Sequence, residues 1–216
     1  MNWNNWKIVK LTMDDVEETL DFICKDFLHR EPLNVSVNLT RDEAEGFLRD
    51  IIVDSLQYPF NYSVRNAHNE IIGVRTCNVH RRPRHGEIKS IPVYNNWKCN
   101  EIAKIVTFVE NKIWAHIPAD VDCVASITLL SVDKNYCRKG IGQTLAAHYL
   151  AEMEAFGCKG VMAELSAASS QLLYTKKLGY SKLFELLHKD WLDSEGRRIF
   201  KCTDGTESCM LVYKPF

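Results

Sequence analysis

Hydrophobic and polar residues alternate along this chain in two periods, one typical of strands and the other of helices. Residues 6–11 alternate as a strand does, and a threonine directly after them can cap a helix with apolar residues on one side. Thr40 and Glu43 form a capping-box pattern that predicts the start of a second helix. Residues 61–66 and 70–79 flank a short polar turn, so we expect an antiparallel hairpin there.

The second half of the chain carries further elements of both kinds. Asn100 precedes an apolar stripe with helical spacing, and we predict that it caps a third helix. Residues 124–132 are apolar on both faces, which predicts a strand that is buried on both sides. One long helix is expected beyond Gly140, with an inward face formed by Ile141, Leu145, Tyr149, Met153 and Phe156. Short strands are predicted at residues 161–165, 183–188 and 208–213, and a short helix at residues 169–178.

The segment between the strand at 124–132 and the long helix carries the clearest chemical information. Backbone N–H groups and the dipole at a helix start attract anions, and Arg138 and Lys139 add two positive charges. Leu145 occupies the third glycine position of a dinucleotide fingerprint, and no Gly-Lys-Ser or Gly-Lys-Thr phosphate-loop run is present. The segment therefore predicts a site for a phosphorylated cofactor of another kind. The alternative is a Gly-Ile-Gly turn that simply joins a strand to a helix.

The run L-S-V-D-x-x-Y-x-R-K-G-I-G-x-x-L resembles the acetyl-CoA loop of the GCN5-related N-acetyltransferases (GNAT), whose pattern is Gln/Arg-x-x-Gly-x-Gly/Ala. The resemblance implies the GNAT fold, an α/β (α+β) arrangement in which helices flank a mixed central sheet, and it implies acetyl-CoA as the cosubstrate. The residues expected to bind acetyl-CoA are Leu130, Ser131, Val132, Cys137, Arg138, Lys139, Gly140, Ile141 and Gly142. Cys137 stands where the pattern has Gln or Arg, and the arginine is displaced by one position.

A second resemblance lies upstream, in the segment F-L-H-R-E-P-L-N over residues 27–34. It is similar to the E-P-L-N segment of the insect-type arylalkylamine (dopamine) N-acetyltransferases. The resemblance implies that Glu31 is the general base and that the acceptor is a primary arylalkylamine, such as dopamine, serotonin, tryptamine or octopamine. Direct transfer is expected, without an acyl-enzyme and without a metal ion. From the residues alone, the alternative for Glu31 is an exposed carboxylate that pairs with Arg30 or Lys25.

The segment LLYTKKLGY over residues 172–180 is similar to a Leu-Tyr-x-Lys-x-Gly-Phe sequence of the same acetyltransferases, with an offset of one residue. Thr175 stands at the family's tyrosine position, and Tyr174 precedes it. Tyr174 is therefore a candidate acid for the departing thiolate, with core packing as the alternative. Ser166 and Ser170 are further candidate catalytic hydroxyls.

The chemistry of acetyl transfer explains why these residue types are needed. An amine attacks a thioester as the free base, and an ammonium group with a pKa of about 10.4 is neutral in roughly one part in 10³ at physiological pH. A carboxylate such as Glu31 can remove that proton, and backbone N–H groups at the end of the 124–132 strand can stabilise the developing oxyanion. A nucleophilic thiol at Cys137 is an alternative, although the sequence gives it no histidine-carboxylate partner.

Composition sets limits on the remaining possibilities. The 216 residues, of which 46% are hydrophobic, suffice for one well-buried domain over residues 1–216, and we expect a monomer. A net charge of -1 gives no global basic field, so nucleic acid and anionic membranes are not favoured as partners. The eight cysteines are scattered, and we expect no secretory leader. Reduced thiols in the cytoplasm are therefore expected.

Two other functional hypotheses fit the sequence. The same machinery can acetylate an aliphatic polyamine or an amino sugar. The chain can also be a non-catalytic module that binds acetyl-CoA, with the basic segment HRRPRH, residues 80–85, recruiting an acidic partner. The simpler interpretation of that segment is a solvated surface connection.

Overall fold

A seven-stranded mixed sheet runs through the part of the chain that the structure, a computed structural model, describes, namely residues 5–83 and 91–216. The strands are β1 (Lys7–Lys10), β2 (Tyr62–Arg65), β3 (Ile71–Arg81), β4 (Cys123–Val132), β5 (Gly160–Leu165), β6 (Ser181–Leu187) and β7 (Ser208–Pro215). Their order in the sheet is β1-β2-β3-β4-β5-β7-β6. The β4–β5 pair is parallel and the other neighbours are antiparallel, so the expected mixed sheet and the predicted hairpin are confirmed.

Helices cover both faces of this sheet. They are α1 (Val16–Lys25), α2 (Pro32–Ser36), α3 (Arg41–Leu56), α4 (Trp97–Glu110), α5 (Ile113–His116), α6 (Ile141–Ala147), α7 (Leu150–Ala155) and α8 (Ala168–Leu172), and a π-helical turn (Leu173–Lys177) follows α8. Buried side chains of α1, α3 and α4 form one apolar cluster with the sheet, and those of α6, α7 and the π-helical turn form a second. The helices flank a central sheet, as predicted.

The start of α3 agrees with the sequence pattern, whereas the start of α4 does not. The backbone N–H of Thr40 donates to the Glu43 carboxylate at 2.9 Å, which confirms the capping box. The prediction that Asn100 caps the next helix is wrong, because Asn96 caps it by accepting from the Lys98 backbone N–H at 2.8 Å. The Asn100 amide instead exchanges two hydrogen bonds with the Tyr94 backbone, at 2.7 and 2.8 Å, which lets the helix begin one turn earlier.

The single long helix expected after Gly140 is also wrong. The chain forms α6 and α7 with a break at Tyr149, whose φ of 44° is left-handed, and the Tyr149 side chain is 59% exposed. The physical reason lies in Arg75, a fully buried residue of β3. Its guanidinium donates to the carbonyl oxygens of Leu145 at 2.8 Å and His148 at 2.6 Å, which binds the last turn of α6 to the sheet.

The prediction that the basic segment, residues 80–85, is a solvated surface connection is wrong for residues 80–82. His80 and Arg81 belong to β3, and His80 is 9% exposed. Arg82 donates to the backbone carbonyl oxygens of Val121 and Trp114, at 2.8 and 2.9 Å. Residues 84 and 85 lie outside the described residues.

Candidate active site

Strands β4 and β5 separate near the middle of the sheet. Their parallel pairing joins Ala125, Ser126 and Ile127 to residues 161–163, and within the described part of the chain it ends there. A bulge in the β3–β4 register follows, between Ile127 and Leu129, after which β4 continues along β3 as far as Val132. The edge of β4 that faces β5 therefore has no strand partner over residues 129–132 within the described part of the chain, although the Val132 carbonyl oxygen accepts from Arg30. Leu130, Ser131 and Val132 are the residues of this edge that are expected to bind acetyl-CoA.

The glycine loop continues directly from this strand edge. Arg138 and Gly140 have left-handed φ values of 61° and 78°, and Gly140 is the residue before α6. A Cβ on Gly142 would lie 3.6 Å from Val132 Cγ2, so the loop packs against the end of β4. The structure thus brings the strand edge and the loop together as one continuous surface.

The thiol of Cys137 is turned towards the backbone of its own loop. Its sulfur lies 3.6 Å from the carbonyl oxygen of Val132 and 3.5 Å from that of Asp133, and Arg30 donates to it at 3.7 Å. The side chain that replaces the Gln or Arg of the family pattern therefore contributes to loop structure. Any role as a nucleophile stays a prediction.

Glu31 occupies the N-cap position of the short helix α2. Pro32 begins that helix, where a missing N–H costs nothing, and the Glu31 Oε2 atom accepts from the Asn34 backbone N–H at 2.7 Å. The Glu31 residue is 9% exposed, and Arg30 pairs with Asp26 at 2.6 Å instead of with Glu31. The alternative of an exposed carboxylate paired with Arg30 or Lys25 is therefore wrong.

Burial raises the pKa of Glu31, and repulsion from Asp204 acts in the same direction. The Ser166 hydroxyl and the backbone N–H groups of Asn34 and Leu33 partly oppose that rise because they favour the carboxylate. Among the described residues, none donates a hydrogen bond of normal geometry to the buried Glu31 Oε1 atom. The Ser166 hydroxyl is therefore near the Glu31 carboxyl but does not form such a hydrogen bond with Oε1. A buried carboxyl with a raised pKa and a free lone pair is suited to accept a proton.

Glu31 lies on the wall of a cavity of about 390 Å³ between the sheet and helices α2, α3 and α4. Thr128 and Leu129 of β4 and Glu164 and Ser166 at the end of β5 also line it, so the cavity reaches the point where the two strands separate. The remaining lining residues are Phe27, Leu33, Asn34, Phe47, Leu48, Asp50, Ile51, Asp54, Asn78, Pro92, Tyr94, Ile102, Ala103, Val106, Thr107 and Glu110. A volume of this size accommodates a small amine.

Ser166 is the one predicted hydroxyl that the structure brings to Glu31. The Ser170 hydroxyl donates to the Ala167 carbonyl oxygen at 2.8 Å, and Ser170 is not among the described residues that line the cavity. Tyr174 is fully buried on the α6 side of the sheet, with its ring 4.9 Å from that of Tyr180, and its hydroxyl has no hydrogen-bond partner within the described residues. Burial raises the pKa of Tyr174 well above its usual value. The catalytic roles of Ser166, Ser170 and Tyr174 stay predictions.

The side chains of Asp26 and Arg30 form a hydrogen-bond network with the end of β4, which we call the latch and which the sequence did not predict. Arg30 donates to the Val132 carbonyl oxygen at 2.6 Å, and the Asp26 carboxylate accepts from the Lys134 backbone N–H at 3.0 Å. Arg30 also donates to Asp26 at 2.8 and 2.6 Å, which closes the network. The latch joins the segment that carries Glu31 to the end of β4, across 102 positions of sequence, and no local pattern reveals it.

Two structural findings concern other kinds of site. Among residues 5–83 and 91–216, no group of three or more His, Cys, Asp or Glu side chains is arranged to hold a metal ion. No helix in those same residues combines the length and the apolar character needed to cross a membrane.

Comparison with known proteins identifies relatives of this arrangement. Residues 105–180 match the model of the Acetyltransferase (GNAT) family. No curated protein sequence matches the chain. Among solved structures, arylalkylamine N-acetyltransferase 2 from Aedes aegypti is similar with a TM-score of 0.86 and 22% identity, over 98% of this chain and 99% of that chain.

Two further solved structures are similar along their length. A putative arylalkylamine N-acetyltransferase 7 from the yellow fever mosquito Aedes aegypti has a TM-score of 0.81 and 20% identity, over 97% of this chain and 87% of that chain. The Drosophila melanogaster polyamine N-acetyltransferase, an enzyme that forms N-acetylagmatine, has a TM-score of 0.77 and 15% identity, over 98% of this chain and 100% of that chain. The resemblance inferred from the sequence is confirmed, and the fold is the GNAT fold.

Proposed function

We propose that this chain, which matches the Acetyltransferase (GNAT) family over residues 105–180, transfers an acetyl group from acetyl-CoA to a primary amine with Glu31 as the general base. The observation that carries the proposal is a buried carboxyl with a raised pKa, on the wall of a cavity that reaches the separation of β4 and β5. An amine in this cavity can meet an acetyl donor at that separation. Binding and chemistry then share one continuous site.

Acetyl-CoA, when bound, supplies an acetyl group activated as a thioester. The edge of β4 over residues 129–132 has no strand partner within the described residues, so its backbone groups other than the Val132 carbonyl oxygen can hydrogen-bond a pantetheine chain. The loop from Cys137 to Gly142 offers backbone N–H groups and two positive charges to a diphosphate. The residues present therefore fit this cosubstrate.

Glu31 performs the proton transfer in this proposal. The amine nitrogen forms a bond to the acetyl carbon, the carbon–sulfur bond breaks, and the proton of the amine passes to the Glu31 carboxylate. The departing thiolate has a pKa of about 8.5, so it needs little or no acid. The raised pKa of Glu31 brings its basicity closer to that of the amine, which improves the transfer.

Arylalkylamines such as dopamine, serotonin, tryptamine and octopamine are the acceptor class that we propose first. The E-P-L-N segment at residues 31–34 supports this class through its resemblance. Three aromatic rings on the cavity wall, Phe27, Phe47 and Tyr94, are suited to contact an aromatic ring or an ammonium group.

We also propose that residues 1–216 act as a single-domain monomer in the cytoplasm. One sheet joins strands from both halves of the chain, which supports a single domain. All eight cysteines are unpaired, which supports a reducing compartment.

The proposal is tested by detecting thiol release from acetyl-CoA with a panel of primary amines. We expect turnover by the wild-type chain and a loss of roughly 100-fold or more in kcat for Glu31→Gln, with acetyl-CoA binding retained in calorimetry. Glu195→Gln is the matched control, since the Glu195 side chain is 65% exposed on the surface. A pH-independent loss of about twofold for Glu31→Gln would remove Glu31 from the role. Acetyl-CoA binding without turnover of any amine would make the chain a non-catalytic binding module.

A further inference from the structure

We infer that Thr128, at the bulge of β4, binds the acceptor by accepting a hydrogen bond from its amine N–H group. Thr128 has this role only within the proposed function, on which the inference rests. It would hold the same nitrogen atom from which Glu31 removes a proton. The proposed function is thereby extended by a second residue that contacts the reacting amine.

The bulge of β4 determines the position of Thr128. Thr76 of β3 is opposite Leu129 and Cys77 is opposite Ile127, so the strand register passes over Thr128. A bulge of this kind bends the strand and redirects the side chain of the added residue. Thr128 is half-buried and lines the acceptor cavity, beside the point where β4 and β5 separate.

Three hydroxyl groups form a chain at this bulge. The hydroxyl oxygens of Ser55 on α3 and Thr76 on β3 lie 2.9 Å and 2.7 Å from Thr128 Oγ1, and both residues are fully buried. The Ser55 hydroxyl in turn donates to the Ile51 backbone carbonyl oxygen at 2.8 Å. The Thr128 hydroxyl is thereby fixed from two sides, by a helix and by a neighbouring strand.

The direction of the hydrogen bonds in this chain follows from the number of protons. A hydroxyl has one proton, and Ser55 donates its proton to Ile51, so Ser55 accepts from Thr128. The Thr128 proton is then in use, so Thr128 accepts from Thr76. The described part of the chain provides no further hydrogen bond to Thr128, so one of its two lone pairs remains. Thr128 is therefore an acceptor towards the cavity and not a donor.

An amine nitrogen is the group of the acceptor that matches such a hydroxyl. A neutral primary amine has two N–H groups and one lone pair, and the lone pair must point to the acetyl carbon. One N–H group gives its proton to Glu31, and the other can donate to Thr128. A hydroxyl with a free proton would instead donate to the nitrogen lone pair and block the attack. As the nitrogen attacks, it gains positive charge, so its hydrogen bond to Thr128 becomes stronger in the transition state.

Thr128 and Glu31 lie close enough to share one nitrogen atom. Both residues line the same cavity. Thr128 follows the paired residues Ile127 and Ala163 by one position on β4, and Ser166, whose hydroxyl acts on Glu31, follows them by three positions on β5. With a rise of about 3.3 Å per residue and a strand spacing of about 4.8 Å, the two backbones are roughly 8 Å apart. Side chains extend into this gap from both strands.

The first experiment compares Thr128→Val, which keeps the shape of threonine without its hydroxyl, with Thr128→Ser, which keeps the hydroxyl. It measures kcat/KM for dopamine and tryptamine, and acetyl-CoA binding by calorimetry. We expect Thr128→Val to lower the amine kcat/KM by about 10-fold or more and to change the Kd for acetyl-CoA by less than about twofold. Thr128→Ser should retain most of the wild-type kcat/KM. Melting temperatures of all variants separate changes in stability from changes in amine kinetics.

Ser55→Ala and Thr76→Val form a matched pair, because each removes one hydrogen bond of Thr128 from a fully buried position. Ser55→Ala removes the acceptor of the Thr128 proton, which can then turn to the cavity and compete for the amine lone pair. The amine kcat/KM should therefore fall by about threefold or more. Thr76→Val leaves that proton on Ser55, so its loss in amine kcat/KM should be smaller.

Equal losses of amine kcat/KM for Thr128→Val and Thr76→Val would give Thr128 a structural role only and would overturn the inference. Wild-type amine kinetics for Thr128→Val would overturn it as well. Turnover by the wild type leaves the proposed function intact in both cases. If Thr128→Val does not fold, the matched pair decides, since equal effects of Ser55→Ala and Thr76→Val contradict the assigned proton direction. Absence of turnover of every amine by the wild type would overturn the proposed function and this inference together.

Discussion

The guanidinium of Arg30 donates to the carbonyl oxygen of Val132 at 2.6 Å, and this bond joins the residue next to Glu31 to the end of β4. Asp26 reinforces the contact, since its carboxylate accepts both from Arg30 and from the Lys134 backbone N–H. Two segments that are remote in sequence are thereby fixed against each other. The distance between Glu31 and the edge of β4 depends on this latch.

We therefore predict that Arg30→Ala lowers kcat by roughly 10-fold to 100-fold, because a small displacement of a catalytic group costs a factor of that order. Steady-state kinetics with both substrates varied will measure it. We expect the loss in kcat to exceed the change in KM for acetyl-CoA. Arg197→Ala is the control, since the Arg197 side chain is 67% exposed and pairs with Asp193 on the surface. An Arg30→Ala enzyme with wild-type kcat would show that the latch does not position Glu31.

The burial of Glu31 makes the folded chain less stable when this carboxyl is ionised, so the free energy of unfolding should depend on pH. The pKa of Glu31 is raised in the folded chain, so folding favours its protonated form. That contribution is fully present below the unfolded pKa, about 4.3, and it is lost as pH rises through the folded value. Glu31→Gln should therefore melt at a higher temperature than the wild type at neutral pH.

The difference in melting temperature should shrink as pH is lowered towards the ordinary glutamate range. One kcal/mol corresponds to about 2–4 °C for a chain of this size, so thermal melts at several pH values can resolve it. Glu195→Gln, at an exposed position, should show no comparable gain. A Glu31→Gln variant that is less stable than the wild type at neutral pH would contradict the raised pKa.

Two glycines at the start of α6, Gly140 before the helix and Gly142 within it, should respond differently to alanine. Gly140 has a φ of 78°, so a side chain there costs about 1–2 kcal/mol of backbone strain in the conformation that precedes α6. Gly142 leaves room for a Cβ, which would contact Val132 Cγ2 at 3.6 Å. We expect Gly140→Ala to weaken acetyl-CoA binding by about 10-fold in calorimetry and Gly142→Ala to weaken it much less. Equal losses for both variants would mean that the loop conformation does not depend on Gly140.

The parts of the site that the sequence predicts are those that depend on local pattern. The strand at residues 124–132, the glycine loop and the capping box at Thr40 all follow from residues within one element or its immediate ends. The E-P-L-N resemblance points to Glu31, and its N-cap position follows from Pro32, which begins α2.

The parts that the sequence missed depend on contacts between remote segments. The break at Tyr149 reflects the carbonyl hydrogen bonds of Arg75, a residue on another strand, so the apolar spacing beyond Gly140 still indicated a continuous helix. The cavity wall likewise combines Asp54, Asn78 and Glu110, which lie on three elements. Charge, burial and register become visible there only after the elements pack together.

The pH dependence of kcat, with both substrates saturating, tests the role of Glu31 most directly. The account predicts an acidic limb for the wild type whose midpoint lies above the ordinary glutamate value of about 4.3, because burial raises the pKa of the base that must be ionised. The residual rate of Glu31→Gln should lack that limb. The same limb in both enzymes, or a wild-type midpoint at or below the ordinary value, would contradict the account.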